Sequence, residues 1–389
     1  AHDLFDAYLP LARYEQQAGI GLAVRKHLMV ARGAIASPMV RRPGPRLSAA
    51  DVARLGAYKD IVEALRQAFR AEIETPVRHH HDTSEVSTLL LMPAWSKDWA
   101  GLKTVVFKTD NAAQGLPTIQ ASYLLIEQKT GETVAMMDGG EITRRRTAAA
   151  SALAADYLAR KDSETMTLVG AGALAPHFAL AHAAVRPVKR VFIYTRSIAK
   201  GEALAAELAQ HGLEAHSVTD LEHAVRQSDI VTCVTTSTAP IVKGAWLKPG
   251  AHVDLAGAFK PTMRETDAEV VARSSVYVDT RDGALAEAGD LLQARDEGKF
   301  DFANVKGDLF DLCRGKGGPW RHADGRRQCT RPDPDGLPLS VRVRAAQHLA
   351  AAGQAASPVG LQRQRPQWRQ GRWQALRRQP RLQLQGHGV

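Results

Sequence analysis

Three cationic side chains in the first half of the chain could bind a carboxylate. Arg78 stands in the segment TPVRHHH, Lys103 in GLKTVVFK, and Arg146 opens the alanine-rich run RTAAASALAA. A guanidinium can hold both oxygens of a carboxylate in one plane, whereas an ammonium offers a point charge. Spacing alone favours a plainer interpretation, in which Lys103 is a surface residue and residues 144–146 are a solvated basic run.

A glycine-rich turn in the second half predicts a dinucleotide site. Gly170, Gly172 and Ala175 follow the apolar strand Met166–Val169 and lead into a helix, and a second strand, Arg190–Tyr194, comes next. The first glycine permits the tight turn, the second lets the backbone approach a pyrophosphate, and the small third residue lets the helix pack on the strand. The helix N-terminus would then face the phosphates.

Residues at the ends of later strands indicate which dinucleotide is bound. Thr195, Arg196 and Ser197 close the second strand, where an NAD enzyme usually places Asp or Glu on the ribose hydroxyls. We therefore predict that NADP(H) is preferred, with NAD(H) as the alternative. Thr235 and Thr236 end another strand and are placed to contact the cofactor.

The elements that position these residues fall into two groups. Ser48 can cap a first helix, and residues 57–73 repeat apolar side chains at helical spacing. Strands are predicted over residues 89–92, 102–107, 118–126 and 133–138, followed by a helix from Glu141. From Thr165 onward strands and helices alternate, with strands at 166–169, 190–194, 230–235, 251–255 and 276–278 and one near Ala215. This order predicts an α/β protein: a Rossmann doubly wound parallel sheet plus a β-rich α+β domain.

Composition limits the remaining possibilities. Of 389 residues, the last 73 (317–389) carry the whole net charge of +10, with 13 Arg, 3 Asp and neither Lys nor Glu. We interpret this Arg- and Gln-rich tail as disordered or as a non-native end. Contact with nucleic acid through the tail is the less favoured alternative. Residues 1–46 are an extension of uncertain status.

Other features argue against a membrane, a disulfide framework and a metal site. No apolar run approaches the length of a spanning helix and no signal peptide is evident, so a cytoplasmic location is expected. Cys233, Cys313 and Cys329 are far apart and are expected to be unpaired thiols. Residues 79–81 are three consecutive histidines, which cannot all face one ion from a strand, so we predict a polar loop and no metal.

Seven motifs occur in an order typical of one family. They are LLLMPAW, GLKTVVF, GLPTIQASYLL, TGETVAMMDGGEIT, RRTAAASALAADYLAR, VGAGALA and GAHVDLAGAFKPTMRETD, and together they cover about residues 47–316. In these motifs the chain resembles the ornithine cyclodeaminase and mu-crystallin family. The resemblance implies a homodimer, with a substrate-binding and dimerisation domain over 47–150, an NAD(P)-binding Rossmann domain over 151–316, and an amino acid or its imine as substrate.

The resemblance also implies roles for individual residues. Arg78, Lys103 and Arg146 fall where the family binds the substrate carboxylate. The positions where the family meets the nicotinamide nucleotide are Thr118, Arg146, Thr147, Ala173 and Leu174, and the nicotinamide would be lined by Val253, Asp254, Leu255 and Ala256.

Three departures from the family pattern bear on activity. Phe259 stands where cyclodeaminases carry a catalytic Asp, Leu174 stands where the family often has Gln, and the family's C-terminal motif is not recognisable after Lys316. A phenyl ring cannot transfer a proton, and oxidising an amine demands more of a base than reducing an imine does. The sequence therefore favours an NADPH-dependent reductase of imines that bear a carboxylate, in which Lys103 or an ordered water supplies the proton. The alternatives are ornithine cyclodeaminase and a crystallin-like NADPH-binding protein without turnover. Asp254 could replace the missing Asp, although a hydrogen bond to backbone is the role we expect for it.

Overall fold

The first half of the chain alternates apolar and polar side chains and folds into an antiparallel sheet. The computed structural model describes residues 46–76 and 78–316, so the predictions for the N-terminal extension and for the basic tail lie outside the described residues. The strands are β1 (Arg46–Leu47), β2 (His79–Ser84), β3 (Ser87–Trp95), β4 (Trp99–Lys108), β5 (Ile119–Glu127) and β6 (Glu132–Asp138). Their order is β1-β6-β5-β4-β3-β2, with only β1 parallel to its neighbour.

The prediction of a polar loop at the three histidines is wrong. Residues 79–81 pair with Leu89, Leu90 and Leu91 as edge strand β2, and every residue of that strand is exposed. The segment HHHDTS lacks apolar alternation, so only its pairing with β3 reveals the strand. Within residues 46–76 and 78–316, no group of three His, Cys, Asp or Glu side chains could hold a metal.

Three helices connect this sheet to the second half. Helix α1 (Ala49–Leu55) begins at Ser48, which forms a capping box with Asp51, as the sequence predicts. Helix α2 (Tyr58–Arg70) buries Ile61, Val62, Leu65 and Phe69 on one face. Helix α3 (Gly139–Leu158) is 20 residues long and packs against β5 of this sheet and against a strand of the second sheet. The predicted domain boundary at residue 150 falls inside α3.

The second half forms a five-stranded parallel sheet. Its elements are β7 (Thr165–Val169), α4 (Ala175–Ala183), β8 (Arg190–Tyr194), α5 (Ile198–Gln210), β9 (Glu214–Val218), α6 (Leu221–Gln227), β10 (Ile230–Cys233) and β11 (His252–Leu255). The strands are all parallel and lie in the order β11-β10-β7-β8-β9, so the chain adds strands on one side of β7 as far as β9 and then on its other side, beginning with β10. In such sheets a ligand binds at the carboxyl ends of the strands on both sides of the reversal.

The last elements lie outside the parallel sheet. They are α7 (Ala268–Ala272), β12 (Tyr277–Val278), α8 (Arg281–Glu287), α9 (Gly289–Asp296), β13 (Gly307–Asp308) and α10 (Leu309–Cys313). The predicted strand at 276–278 is expected to extend the main sheet, but among the described residues it forms a separate two-stranded parallel sheet with β13. Arg70 of α2 donates a hydrogen bond to the carbonyl of Cys313 at 2.7 Å, which fixes α10 to the first half. In the part of the chain that the structure describes, no helix is long and apolar enough to cross a bilayer.

Candidate active site

Helix α3 separates the three consecutive arginines by the direction in which each points. Glu141 accepts hydrogen bonds from Arg144 at 3.0 Å and from Arg145 at 2.6 Å, so these two cations are neutralised within the first turns of the helix. Arg146 lies on another face and is only 4% exposed. The interpretation of residues 144–146 as one solvated run is therefore wrong for Arg146. Thr147 beside it is fully buried.

Lys103 reaches the same interface from the sheet. In β4 it is 6% exposed and pairs across the strands with Met92 and Tyr123, which are also buried. Its Nζ lies 3.5 Å from the hydroxyl of Thr143, one helical turn before Arg146. Burying a cation is costly unless an anion or several acceptors accompany it. A carboxylate placed at this sheet–helix interface would be attracted by both buried cations.

Arg78 immediately precedes β2, two strands away from Lys103 in β4, and also contacts the Rossmann half. His79 pairs with Leu91, so Arg78 lies at the level of Met92, the cross-strand partner of Lys103. Its Nη2 donates to Glu287 Oε1 at 3.0 Å. Sequence reasoning missed Glu287, since nothing in its local pattern distinguishes it from other surface acids.

Thr118 is not brought beside Lys103. It is exposed immediately before β5, and its carbonyl accepts from the backbone N–H of Lys108 at 2.8 Å. Tyr123, five residues further along, is the residue that pairs with Lys103. Five residues of strand correspond to about 16 Å, so Thr118 stands at the far end of the sheet within this chain.

The glycine turn has the geometry that the sequence predicts. Gly170 has φ of +111°, which suits glycine, and its N–H donates to the carbonyl of Tyr194 at 2.8 Å. A Cβ added at Gly172 would meet no atom within 4 Å. Helix α4 then begins after Leu174 with no side-chain cap, and Ala175 is fully buried against the strand. An exposed backbone at Gly172 and Ala173, next to an uncapped helix N-terminus, fits the pyrophosphate of a dinucleotide.

The end of β8 carries positive charge. Thr195 is partly buried, Arg196 is exposed, and Ser197 precedes α5 without capping it through its side chain. Lys200 adds a second exposed cation in the first turn, which contains no acid. Arg196 and Lys200 could pair with a phosphate group of a bound dinucleotide.

The ends of β10 and β11 are joined by a carboxylate that sequence reasoning missed. Glu265 Oε1 accepts from the N–H and the hydroxyl of Thr235 at 2.6 Å and 2.7 Å, and Oε2 accepts from the N–H of Gly257 at 2.7 Å. Thr236, the next residue, is exposed. Glu265 stands within a family-like motif, but it follows β11 in a loop where no spacing rule indicates its role.

The side chains of residues 253–256 do not line the expected ligand site at the carboxyl ends of the parallel strands. Val253 and Leu255 are buried in one apolar cluster and Ala256 in another, on the opposite side of the sheet. Asp254 is fully buried and accepts a short hydrogen bond from the hydroxyl of Ser151 in α3, and the expected hydrogen bond from backbone to this carboxylate stays a prediction. This strand could therefore meet a nicotinamide only through its backbone, and Asp254 cannot replace the missing acid there.

Phe259 lies in the loop after β11. Its N–H donates to the carbonyl of Gly257 at 3.0 Å, and Lys260 Nζ lies 5.9 Å from its ring centroid. The ring is partly buried. A phenyl ring there contributes shape and apolar surface but no proton transfer.

The fold and the site define a nucleotide-binding protein of the Rossmann type with a second, sheet-based domain. The model of the ornithine cyclodeaminase/mu-crystallin family matches residues 47–331, most of the chain. The chain therefore belongs to the ornithine cyclodeaminase/mu-crystallin family, and the predictions of family and of fold class are confirmed.

Similar proteins include imine reductases. The delta(1)-pyrroline-2-carboxylate reductase of Paracoccus denitrificans is 38% identical over 272 residues, which cover 69% of this chain and 85% of that protein. The ketimine reductase mu-crystallin of Rattus norvegicus is 35% identical over 204 residues, 52% of this chain and 64% of that protein. The Thermococcus litoralis delta(1)-pyrroline-2-carboxylate reductase, solved with NADH and L-proline, is 30% identical with a TM-score of 0.70, covering 80% of this chain and 95% of that one.

Proposed function

We propose that the chain is an NAD(P)H-dependent reductase of imines that carry a carboxylate next to the C=N carbon. The observation that carries this proposal is the burial of Lys103 and Arg146 at one interface between β4 and α3, in a protein with a dinucleotide turn. When bound, the dinucleotide supplies a hydride for the imine carbon. Arg146 and Arg78 hold the carboxylate of the substrate, which fixes the direction in which the C=N bond points.

Lys103 is the proton donor of this site. Reduction of a C=N bond adds a hydride to carbon and a proton to nitrogen, and a buried ammonium beside the carboxylate can deliver that proton directly or through water. Phe259 is compatible with this reaction, since the loop needs no base to remove a proton from an amine.

Cyclic imines are the favoured substrates. The Paracoccus and Thermococcus relatives are named for Δ1-pyrroline-2-carboxylate, and the Thermococcus structure contains L-proline, the reduced product of that imine. A five- or six-membered ring presents its carboxylate and C=N carbon in one rigid unit. Such a ring suits an apolar surface like Phe259 better than a flexible diamine such as ornithine does.

The test is a substrate panel with two readouts. NADPH consumption would be followed with Δ1-pyrroline-2-carboxylate and Δ1-piperideine-2-carboxylate, and ammonia release would be measured with ornithine and the oxidised coenzyme. We expect oxidation of NADPH by the imines and no ammonia. Ammonia without imine reduction would instead identify a cyclodeaminase. Tight NADPH binding with neither reaction would identify a non-catalytic crystallin-like protein.

NADP(H) is proposed as the preferred coenzyme. The support is the sequence Thr195, Arg196, Ser197 at the end of β8, together with exposed Lys200 and the absence of an acid in the first turn of α5. A guanidinium can pair with a 2′-phosphate, whereas an acidic residue would repel it.

A homodimer is proposed from the outer face of the antiparallel sheet. The residues on this face are partly exposed and largely apolar: Leu89, Leu91, Leu102, Leu124 and Ile126. A face of this kind is typical of an interface between subunits. Light scattering of the wild type should therefore give twice the chain mass. The Leu91→Glu variant should give the mass of one chain. A wild type with the mass of one chain would refute the interface.

A further inference from the structure

One fully buried carboxylate spans the carboxyl ends of two neighbouring strands. Glu265 binds Thr235, which follows β10, and Gly257, which follows β11, through three hydrogen bonds of 2.6 to 2.7 Å. Both of its oxygens are used. The separation of the two strand ends is therefore set by the width of one carboxylate group.

Close packing reinforces this bridge. A Cβ added at Gly257 would overlap both the carbonyl oxygen of Thr235 and the carboxylate of Glu265. On the other side, a Cβ added at Gly170 would lie 3.3 Å from the Thr235 methyl group and 3.0 Å from the Val234 carbonyl oxygen. Thr235 is thus held between the glycine turn at Gly170 and the loop after β11.

A second buried acid fixes Glu265 itself. Asp290 of α9 accepts from the N–H of Glu265 at 2.9 Å and from the N–H and hydroxyl of Thr266 at 2.8 Å and 2.9 Å. Burial and the adjacent Asp290 raise the pKa of Glu265 to about 8. The other ionisable groups around this pair are Cys233 of β10, Asp254 of β11 and Arg264 of the same loop.

The position of the bridge relates it to one half of a dinucleotide. In a doubly wound sheet one ribose of the dinucleotide lies over the first two strands, here β7 and β8. Its phosphate or hydroxyl groups are bound at the end of the second strand. The other nucleotide then extends across the reversal of strand order, over β10 and β11. Glu265 lies beneath those two strand ends and away from the β8 end.

We propose that Glu265 is a positioning residue for the nicotinamide half of the site, acting through Thr235 and Gly257. The inference rests on the proposed nucleotide-dependent function. A carboxyl group can accept a backbone N–H at each oxygen, and when it is protonated its hydroxyl can donate to Thr235 Oγ1, so it can hold both loops at once. Glutamine has one oxygen and one NH2 group, and in either orientation that NH2 group opposes a backbone N–H, of Thr235 or of Gly257. Glu265→Gln therefore frees one loop from the bridge while preserving side-chain size.

A matched control exists at the amino ends of the strands of the same sheet. Asp229 precedes β10 and accepts from the N–H groups of Glu164 and Thr165 at 3.0 Å each, so it also bridges two neighbouring strands through backbone. Asp229→Asn disturbs these backbone bonds, and also the ion pairs of Asp229 Oδ1 with Arg160 at 2.5 Å and Lys248 at 2.8 Å, at the end of the sheet where no ligand is expected. Both variants should lower the melting temperature.

The test compares reduced coenzyme with a fragment that lacks nicotinamide. Calorimetry would give dissociation constants for NADPH and for 2′-phospho-ADP-ribose, and steady-state kinetics would give kcat for imine reduction. For Glu265→Gln we expect about a tenfold weaker NADPH affinity and at least a tenfold lower kcat, which is the loss of about one hydrogen bond. The fragment should bind within about twofold of wild type, and Asp229→Asn should leave all three values within that range.

The outcomes separate the two proposals. If wild type bound neither coenzyme, the proposed function itself would fail. If wild type bound NADPH but Glu265→Gln lowered only the melting temperature, as Asp229→Asn does, Glu265 would be a structural staple and the inference would be overturned. Should Glu265→Gln not fold, Thr235→Val removes a single donor to Oε1 and should show a smaller change of the same kind, with weaker NADPH binding and unchanged fragment binding. Unchanged NADPH binding and kcat in Thr235→Val would then overturn the inference.

Discussion

Arg78 and Glu287 form an ion pair across the two halves of the molecule. Arg78 Nη2 and Glu287 Oε1 are 3.0 Å apart, and the two side chains are 25% and 15% exposed. The contact uses one of the five N–H donors of the guanidinium. The contact orients the remaining donors, which in the proposed function hold the substrate carboxylate.

Glu287→Gln should weaken substrate binding more than it weakens the fold. Without the ion pair, Arg78 must be ordered by the substrate itself, so we expect KM for the imine to rise by about three- to tenfold with little change in kcat. Initial-rate kinetics would measure this. Glu222→Gln, which removes an exposed pair with Arg226 in α6, is the control and should change neither value. A lower KM in Glu287→Gln would contradict the prediction, because it would show that Glu287 competes with the substrate.

Two glycine substitutions should separate binding from folding. Gly172→Ala places a methyl group in open space, so the melting temperature without nucleotide should stay the same. The methyl group would stand where a pyrophosphate approaches, so NADPH affinity should fall by at least about tenfold. Gly257→Ala forces a methyl group against the Thr235 carbonyl and should lower the melting temperature directly. Thermal unfolding and calorimetry would measure the two effects, and full NADPH affinity in Gly172→Ala would argue against the pyrophosphate position.

Lys103→Met should abolish most turnover. Met preserves the length of the buried stem but removes the charge that attracts the carboxylate and the proton that the imine nitrogen needs. We expect kcat/KM to fall by about a hundredfold or more. Lys108→Met is the control, because Lys108 lies on the same strand, is partly exposed and pairs with Asp110. Equal loss of activity in both variants would mean that general damage to β4, and not the site, accounts for the effect.

Arg196→Ala should shift the coenzyme preference towards NADH. If the guanidinium binds the 2′-phosphate, the dissociation constant for NADPH should rise by about tenfold and that for NADH should stay within about twofold. Arg190→Ala is the control, since Arg190 stands at the other end of β8 and pairs with Glu214. Titrations of both coenzymes by fluorescence would measure these constants. Equal weakening of NADPH and NADH would exclude a phosphate-specific role.

Stability should fall as pH rises above neutrality. The pKa of Glu265 is raised to about 8 by burial and by Asp290, so the folded protein keeps a proton that the unfolded chain has released above its ordinary pKa of 4.5. The stabilisation is complete below that value and is lost as pH rises to about 8. His177 acts in the opposite direction, because burial lowers its pKa from 6.5 to about 4, and its contribution is lost on acidification below 6.5.

Urea midpoints measured between about pH 6.5 and pH 8, below the range in which the Cys233 thiol ionises in the unfolded chain, should therefore report on Glu265 and the adjacent Asp290. Wild type should become less stable across this range. Glu265→Gln cannot release a proton and should show a flatter dependence, whereas Asp229→Asn should follow the slope of wild type. A wild-type midpoint that rises with pH would contradict the raised pKa.

Local periodicity was sufficient for much of the fold. The glycine turn, strands β3 to β8 and the buried face of α2 were predicted because apolar spacing and turn residues indicate them directly. Strand β2 was missed because HHHDTS has no apolar alternation and is defined only by its pairing with β3. The orientation of Asp254 was also missed, since its partner Ser151 lies 103 residues earlier.

The residues that complete the site depend on contacts that are distant in sequence. Glu287 meets Arg78 across 209 residues, and Glu265 meets Thr235 across 30. A single acid in a loop has the same local pattern whether it contacts solvent or a strand end. The resemblance identified the positions of Lys103 and Arg146, whereas the structure was needed to show that both cations are buried at one interface.

Helix α3 has a consequence for how the site assembles. Its first turns present Thr143 and Arg146 beside Lys103, and its later turns bury Ser151 against Asp254 of the parallel sheet. Both sheets are therefore packed against one continuous helix, which opposes a hinge motion between Lys103 on one side and the glycine turn at Gly170 on the other. In the proposed reductase, the alignment of substrate and coenzyme would then be set when the protein folds. Substrate would enter and product would leave through movements of surface loops.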